Sequence, residues 1–148
     1  MIALPTPQAT HDIGQALAGL LRVGDVVALT GPLGAGKTSL ARGLLAGLGL
    51  AGEAPSPTYA IVQPYDPPDV RLPVWHVDLY RLAHPDEAEE LGLADARADA
   101  ALLVEWPERL PDRWWREALR LSLAPTAEGG RALTWQVPPA WEGRWPLT

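Results

Sequence analysis

The chain contains no cysteine, which excludes disulfide bonds and thiolate metal sites. Phenylalanine and asparagine are also absent, and Met1 is the only methionine. No apolar run approaches the roughly 20 residues that a membrane-spanning helix needs. The first ten residues, MIALPTPQAT, have neither the basic nor the apolar segment of a signal peptide. We therefore expect a cytoplasmic protein without a membrane partner.

Lysine is nearly absent as well, because eleven of the 12 basic residues are arginine and the remaining one is Lys37. The net charge is −6, and no basic stripe suits a phosphate backbone, so tight unaided binding to nucleic acid is not expected. A chain of 148 residues, 47% of them hydrophobic, fits one domain with its own core. We expect a single domain over residues 1–148.

The pattern of apolar residues predicts strands mixed with helices. Thr6 and Pro7 are typical of a helix start, and a helix is expected after them. Further helices are predicted over residues 37–48 and 86–91, and strands over 59–62, 74–77, 101–104 and 26–29, with a connection over 64–73. Residues 119–123 and 133–137 alternate around a Gly-Gly turn and predict a hairpin. The expected fold class is an α/β sandwich with a partly antiparallel sheet.

Residues 31–38, GPLGAGKT, match the phosphate-binding motif G-x-x-x-x-G-K-[ST] in full. Glycines let the backbone curl so that its N–H groups surround phosphate oxygens, and the following helix offers its positive N-terminus. In such loops the lysine, here Lys37, contacts the outer phosphates, and the hydroxyl of Thr38 binds Mg²⁺. A predicted strand precedes the loop and a predicted helix follows it, so we expect ATP and Mg²⁺ to bind here.

The choice of ATP follows by elimination. GTPases of this class usually read guanine with an Asn-Lys-x-Asp or Thr-Lys-x-Asp segment. The chain has no asparagine, and its one lysine already lies in the phosphate loop.

Two carboxylates end apolar segments, which is where an acid near magnesium usually lies. Asp78 follows residues 74–77 and Glu105 follows residues 101–104, so one could hold magnesium while the other orients water. Each could equally be an acid that caps a loop. Thr58 lies in the segment Ser-Pro-Thr-Tyr, at a position where a hydroxyl often senses the outer phosphate. A lone histidine such as His76 is more often structural than catalytic.

The segments GPLGAGKTSLARG, SPTY, WHVDLYRL and ALLVEWPE, in this order, resemble the TsaE (YjeE) family over about residues 5–110. This resemblance implies a P-loop NTPase-like three-layer sandwich with a mixed parallel and antiparallel central sheet. It implies a bacterial ATPase needed for the threonylcarbamoyladenosine modification of tRNA, weak alone and working with TsaB and TsaD. ATP hydrolysis would then reset that complex, and tRNA would be met only through it.

The resemblance also implies roles for individual residues. Thr38 and Glu105 would be the magnesium ligands, Asp78 a functional acid, and Trp106 a functional neighbour of Glu105. The catalytic set is then Lys37, Asp78 and Glu105, and the nucleotide-binding set is Gly31, Leu33, Gly34, Ala35, Gly36, Lys37, Thr38, Ser39, Thr58 and Trp106. Two positions depart from the family pattern, since Pro32 replaces the usual aspartate and Ser39 the usual threonine. Any role of that aspartate is lost, whereas Ser39 keeps a hydroxyl.

Two alternatives remain open. A small-molecule kinase of this fold would need a lid and an acceptor pocket, for which 148 residues leave little chain. A nucleotide-dependent binding module would bind ATP without useful turnover.

Overall fold

The computed structural model describes residues 1–32, 34–52 and 62–146 of the chain. The strands are β1 (Ile2–Leu4), β2 (Val26–Thr30), β3 (Val62–Tyr65), β4 (Val74–Asp78), β5 (Ala101–Glu105), β6 (Leu119–Pro125) and β7 (Arg131–Gln136). The α-helices are α1 (Pro7–Ala18), α2 (Lys37–Gly47), α3 (Glu87–Leu91) and α4 (Leu93–Ala96). Short 3₁₀ helices cover Pro107–Arg109, Asp112–Trp115 and Pro139–Trp141. None of the helices in these ranges has the length and apolar character needed to cross a bilayer.

One sheet contains the seven strands formed by the described residues, in the order β1-β7-β6-β2-β5-β4-β3. The four central strands β6, β2, β5 and β4 run parallel, whereas β7, β1 and β3 pair antiparallel with their neighbours. Parallel strands covered on both faces read as continuous apolar runs, which explains the sequences VVALT of β2 and ALLVE of β5. The predicted α/β class with a mixed sheet is confirmed.

Helical segments cover both faces of the sheet. Leu17 of α1 and Leu44 of α2 pack with Leu29 in a cluster on one face. On the other face, Ala88 of α3 and Leu93 of α4 belong to a second cluster. Alternate residues of each strand feed these two clusters, as the pleat requires. The three-layer arrangement is therefore confirmed, and it sets the phosphate loop at the carboxyl end of β2.

Close packing of α1 against α2 fixes the position of the helix that follows the loop. The side chain of Thr6 caps α1 by accepting a hydrogen bond from the amide of Ala9 at 3.1 Å, as the sequence predicts. A Cβ atom at Gly43 would lie 2.0 Å from the carbonyl oxygen of His11. The absence of a side chain at Gly43 therefore lets the two helix backbones approach each other.

The predicted boundaries agree with the structure at the centre of the sheet and fail at its edges. The helix expected over 37–48 and the hairpin expected over 119–137 are present. The predicted end of the strand over 59–62 is wrong, because β3 extends to Tyr65. Pro64 lies inside β3, at the edge of the sheet, where a missing backbone donor is tolerated. Residues 59–61 lie outside the described ranges. The short elements β1 and α4 were not predicted, because three or four residues carry too little periodicity.

Candidate functional site

The glycine-rich loop runs from the end of β2 into the start of α2. Gly31, Gly34 and Gly36 have φ angles of 148°, 77° and 100°, which glycine adopts more easily than other residues. A Cβ atom at Gly31 would lie 2.5 Å from the carbonyl oxygen of Leu123 in β6. Because α2 begins directly after Gly36, the unpaired N–H groups of its first turn lie beside the loop and suit an anion. Leu33, which was predicted to contact nucleotide, lies outside the described residues.

Lys37 is the first residue of α2, and it is buried. Its ammonium group donates a hydrogen bond to the carbonyl oxygen of Gly31, and its Nζ lies 3.6 Å from the centroid of the Trp106 ring. Burial lowers the pKa of Lys37, and the charge of Glu105 is the largest influence that opposes this shift. The lysine is thus held at the loop by its first glycine and by an aromatic face.

The two predicted carboxylates lie side by side. β4 and β5 are parallel, and Asp78 is paired in register with Glu105 at their carboxyl ends. The hydroxyl of Thr38 donates to Oε1 of Glu105 at 3.4 Å, which joins the start of α2 to the end of β5. Hydroxyl and carboxylate oxygens are ligands that suit Mg²⁺. Thr38 and Glu105 could therefore hold a magnesium ion between them.

Asp78 is less buried than Glu105 and has a different environment. Its Oδ1 accepts a hydrogen bond from the backbone amide of Tyr80 at 2.9 Å. Burial raises the pKa of Asp78; the Tyr80 bond opposes this shift, whereas the neighbouring charge of Glu105 adds to it. Two roles are open to this carboxylate, metal binding and activation of water. A raised pKa makes it a stronger base, which favours activation of water by proton acceptance.

A cavity of about 320 Å³ brings these groups together. It is lined by Gly34, Ala35, Gly36, Lys37, Thr38, Ser39, Asp78, Tyr80, Glu105 and Trp106. Nine of these ten residues were predicted from the sequence as site residues, and Tyr80 is the addition. Gly31 lies behind the cavity as the partner of Lys37, and Thr58 is outside the described residues.

Trp106 has an unusual backbone conformation. It is the one residue other than glycine in the described ranges with a positive φ, at φ 60° and ψ 48°. The left-handed region costs a non-glycine residue on the order of 1 kcal/mol or more, so it persists only where surrounding contacts impose it. Here the indole packs against Tyr80, with ring centroids 4.9 Å apart, as well as against Lys37.

His76 also belongs to the site, although the sequence favoured a structural role for it. The ring is fully buried, and its Nε2 lies 2.7 Å from Oε2 of Glu105. The sequence held a signal for this contact, because His76 and Asp78 are two residues apart on one strand and therefore point to the same face. That signal shows which face the ring occupies, but it does not identify the partner.

A second, smaller cavity of about 210 Å³ adjoins the loop. It shares Gly34, Gly36 and Ser39 with the first cavity and adds residues from distant segments, namely Leu4, Pro5, Thr6, Pro7, Thr10, Gly129, Gly130 and Arg131. The guanidinium of Arg131 donates to the carbonyl oxygen of Gly34 at 2.6 Å. Sequence reasoning missed this cavity because its walls come from the start of α1 and the β6–β7 turn.

A larger cavity of about 480 Å³ has no part in this arrangement. Val26 and Leu102, at the other end of β2 and β5, line it together with Arg113 and Trp114. It contains no residue of the phosphate loop and neither of the paired carboxylates. Size alone is therefore a poor guide to the functional site here, and the polar groups that converge on the loop are the better one.

A phosphate loop between a buried parallel strand and a helix, with acids ending two neighbouring strands, defines a P-loop NTPase-like protein. Comparison with known proteins gives the family. The family model described as "Threonylcarbamoyl adenosine biosynthesis protein TsaE" matches residues 4–133. The chain belongs to the TsaE family.

Individual relatives agree with this assignment. The tRNA threonylcarbamoyladenosine biosynthesis protein TsaE of Streptomyces coelicolor is 43% identical over 114 residues, which cover 76% of this chain and 77% of the relative. The protein of the same name from Bacillus subtilis is 35% identical over 129 residues, which cover 86% of this chain and 79% of the relative. The crystal structure of YdiB from Bacillus subtilis superposes with a TM-score of 0.68 and 29% identity, and covers 91% of this chain and 82% of that one.

Proposed function

We propose that this protein is the ATP-binding and ATP-hydrolysing subunit of the complex that makes the threonylcarbamoyladenosine modification of tRNA. The observation that carries the proposal is the convergence of Lys37, Thr38, Asp78 and Glu105 on one 320 Å³ cavity. The family and the names of its members supply the reaction system. A single domain over residues 1–148 would perform this role.

The residues present fit a magnesium ion. Thr38 Oγ1 and Glu105 Oε1 lie 3.4 Å apart and offer two oxygen ligands. Two protein oxygens are enough for Mg²⁺ at a phosphate site, because the ion there keeps several waters and takes one or two protein ligands plus phosphate oxygens. When bound, magnesium would neutralise charge on the phosphate oxygens.

The protein groups at the site would have separate roles in binding and hydrolysing ATP. The backbone N–H groups of the loop and of the first turn of α2 bind the phosphates. The ammonium of Lys37 has three N–H donors, of which Gly31 accepts one, so the others serve the outer phosphate. Asp78, whose pKa is raised by burial, orients the attacking water and accepts its proton.

The smaller cavity is the proposed binding site for the adenine base of the nucleotide. It shares Gly34, Gly36 and Ser39 with the cavity at the loop, so it lies beside the proposed phosphate site. Arg131 closes one side through its hydrogen bond to Gly34. The chain has no asparagine and no second lysine for a guanine-reading segment of the usual kind, which favours ATP over GTP.

The partners we propose are TsaB and TsaD, with tRNA met only through the complex. The net charge of −6 provides no counterion-release contribution to binding RNA directly. Slow turnover by the isolated chain is expected if a stabilising group comes from a partner, since such a group is worth on the order of 10³–10⁵ in rate. The cytoplasm is the proposed location.

The test is phosphate release from ATP by the purified chain, alone and with TsaB and TsaD from the same organism. We expect slow release alone and at least a tenfold increase with both partners, while the Lys37→Ala variant releases none in either mixture. Formation of ADP together with a phosphorylated small molecule, instead of inorganic phosphate, would favour a kinase and overturn the proposal.

A further inference from the structure

His76 lies in the interior of the sheet, in a position that the chemistry of phosphate binding does not explain. Its ring is 0% exposed. On β4 it pairs in register with Leu103, whereas Asp78 pairs with Glu105. His76 therefore reaches Glu105 diagonally across the β4–β5 pair, over two residues, and its Nε2 lies 2.7 Å from Oε2.

The contact sets the direction of the hydrogen bond between the ring and Glu105. A carboxylate oxygen only accepts hydrogen bonds, so the hydrogen of a neutral imidazole lies on Nε2 and is donated to Glu105. Nδ1 is buried and has no hydrogen-bond partner among the described residues. Leaving a buried polar atom unpaired costs roughly 1–3 kcal/mol. An apolar side chain would remove this cost but would leave the buried carboxylate of Glu105 without its 2.7 Å partner, so the histidine is placed to serve Glu105.

The two oxygens of Glu105 have different partners. Oε2 accepts from His76 at 2.7 Å, and Oε1 faces the hydroxyl of Thr38 at 3.4 Å. A glutamate has three side-chain torsions, and the short bond on one oxygen restricts where the other can point. The arrangement matches the way carboxylate and histidine partners orient metal ligands from behind.

We propose that His76 is a positioning residue that holds Oε2 of Glu105, so that Oε1 is presented to a magnesium ion beside Thr38. The inference rests on the proposed function, because it gives the magnesium ligand its orientation. His76 itself does not line the 320 Å³ cavity. Its removal therefore weakens binding of the metal and leaves contacts of the phosphate loop in place.

The test measures ADP binding by calorimetry in EDTA and across a magnesium titration, with thermal unfolding of each variant. The informative pair is His76→Leu, which removes the donor, and His76→Gln, whose amide nitrogen replaces Nε2. We expect His76→Leu to raise the half-saturating magnesium concentration at least tenfold, with ADP affinity in EDTA unchanged within twofold. His76→Gln should stay within threefold of wild type in both quantities.

Val77→Ala is the matched control for lost stability. Val77 is fully buried on the opposite face of the same strand, within the second cluster. The substitution should lower the melting temperature without changing the magnesium dependence. If His76→Leu does not fold, His76→Asn carries the test, since its shorter amide does not reach Glu105.

The outcomes separate the two proposals. Wild-type protein that binds no ADP in EDTA or in magnesium overturns the proposed function. Wild-type protein whose ADP binding depends on magnesium, with His76→Leu or His76→Asn showing the same dependence, overturns the role of His76 alone. A rise in the half-saturating magnesium concentration for His76→Gln equal to that for His76→Leu also contradicts positioning through the hydrogen bond.

Discussion

The Nζ atom of Lys37 lies 3.6 Å from the centroid of the Trp106 ring. The lysine of the loop therefore contacts the residue that directly follows Glu105, the acid at the end of β5. The left-handed backbone of Trp106 turns its ring toward the loop, and Tyr80 covers another part of the ring. Trp106 thus contacts the lysine of the loop and directly follows the strand that carries the proposed magnesium ligand.

This relationship predicts an optical signal. A nucleotide that draws Lys37 toward its phosphates changes the charge next to the indole, so adding ATP with magnesium should change tryptophan fluorescence. The chain has seven tryptophans, so the comparison is between wild type and Trp106→Phe. We expect the variant to lose most of the change. A variant with the full wild-type response would assign the signal to another tryptophan.

Substitution of either paired acid should lower turnover much more than it lowers ATP affinity. Glu105→Ala and Asp78→Ala keep the loop and Lys37, so both should still bind ATP within about tenfold of wild type. Turnover in the presence of partners should fall by about a hundredfold or more, because the metal or the attacking water is misplaced. Calorimetry and phosphate release measure the two quantities on the same preparations. Wild-type turnover in both variants would remove these residues from the mechanism.

Asp78 also predicts a dependence of stability on pH. Burial raises its pKa above the ordinary value of 3.8, so the folded chain binds a proton that the unfolded chain has already lost. The free energy of unfolding therefore falls as the pH rises through the interval between the two pKa values. Asp78→Asn cannot ionise, so in metal-free and nucleotide-free buffer it should be the more stable protein at pH 7.5.

The difference should shrink as the pH is lowered toward 3.8, where the wild-type carboxyl is protonated in the folded chain. Thermal unfolding of both proteins over this range measures it. An Asn variant that is less stable than wild type at every pH would mean that ionised Asp78 is favourably placed without ligand.

The close approach of α1 and α2 predicts a large effect of one methyl group. Gly43→Ala would bring a Cβ atom to 2.0 Å from the backbone of His11, and should destabilise the fold by about 1–3 kcal/mol despite the better helix propensity of alanine. Gly19→Ala is the matched control, because its nearest heavy atom is 4.0 Å away. Urea unfolding should show a clear loss for the first variant only. Equal stability of the two would place the helices farther apart.

Much of the fold follows from local sequence signals. Apolar runs identify β2 and β5, because parallel strands buried on both faces leave little room for polar residues. The cap at Thr6 and the hairpin of β6 and β7 are equally local. The end of β3 was missed because Pro64 indicates a loop unless its edge position is known, and that position depends on tertiary structure.

The candidate site also combines features that the sequence predicts with contacts that depend on the tertiary structure. The loop motif and the strand-end acids are read directly from the sequence, and the structure gathers them in one cavity. The contact of His76 with Glu105 and the closure of the second cavity by Arg131 join residues 29 and 97 positions apart. Side-chain pairs of that kind depend on strand register and on the β6–β7 turn, so one sequence does not reveal them.

The central claim is that residues 31–38 bind the phosphates of ATP, and Lys37→Ala tests it most directly. The measurement is calorimetric titration of ATP with magnesium into wild type and variant, with circular dichroism to establish that the variant is folded. The variant loses a charge-assisted contact to phosphate, so we expect binding by wild type and a loss of at least a hundredfold in affinity in a folded variant. A folded Lys37→Ala protein that binds ATP as tightly as wild type would contradict the claim.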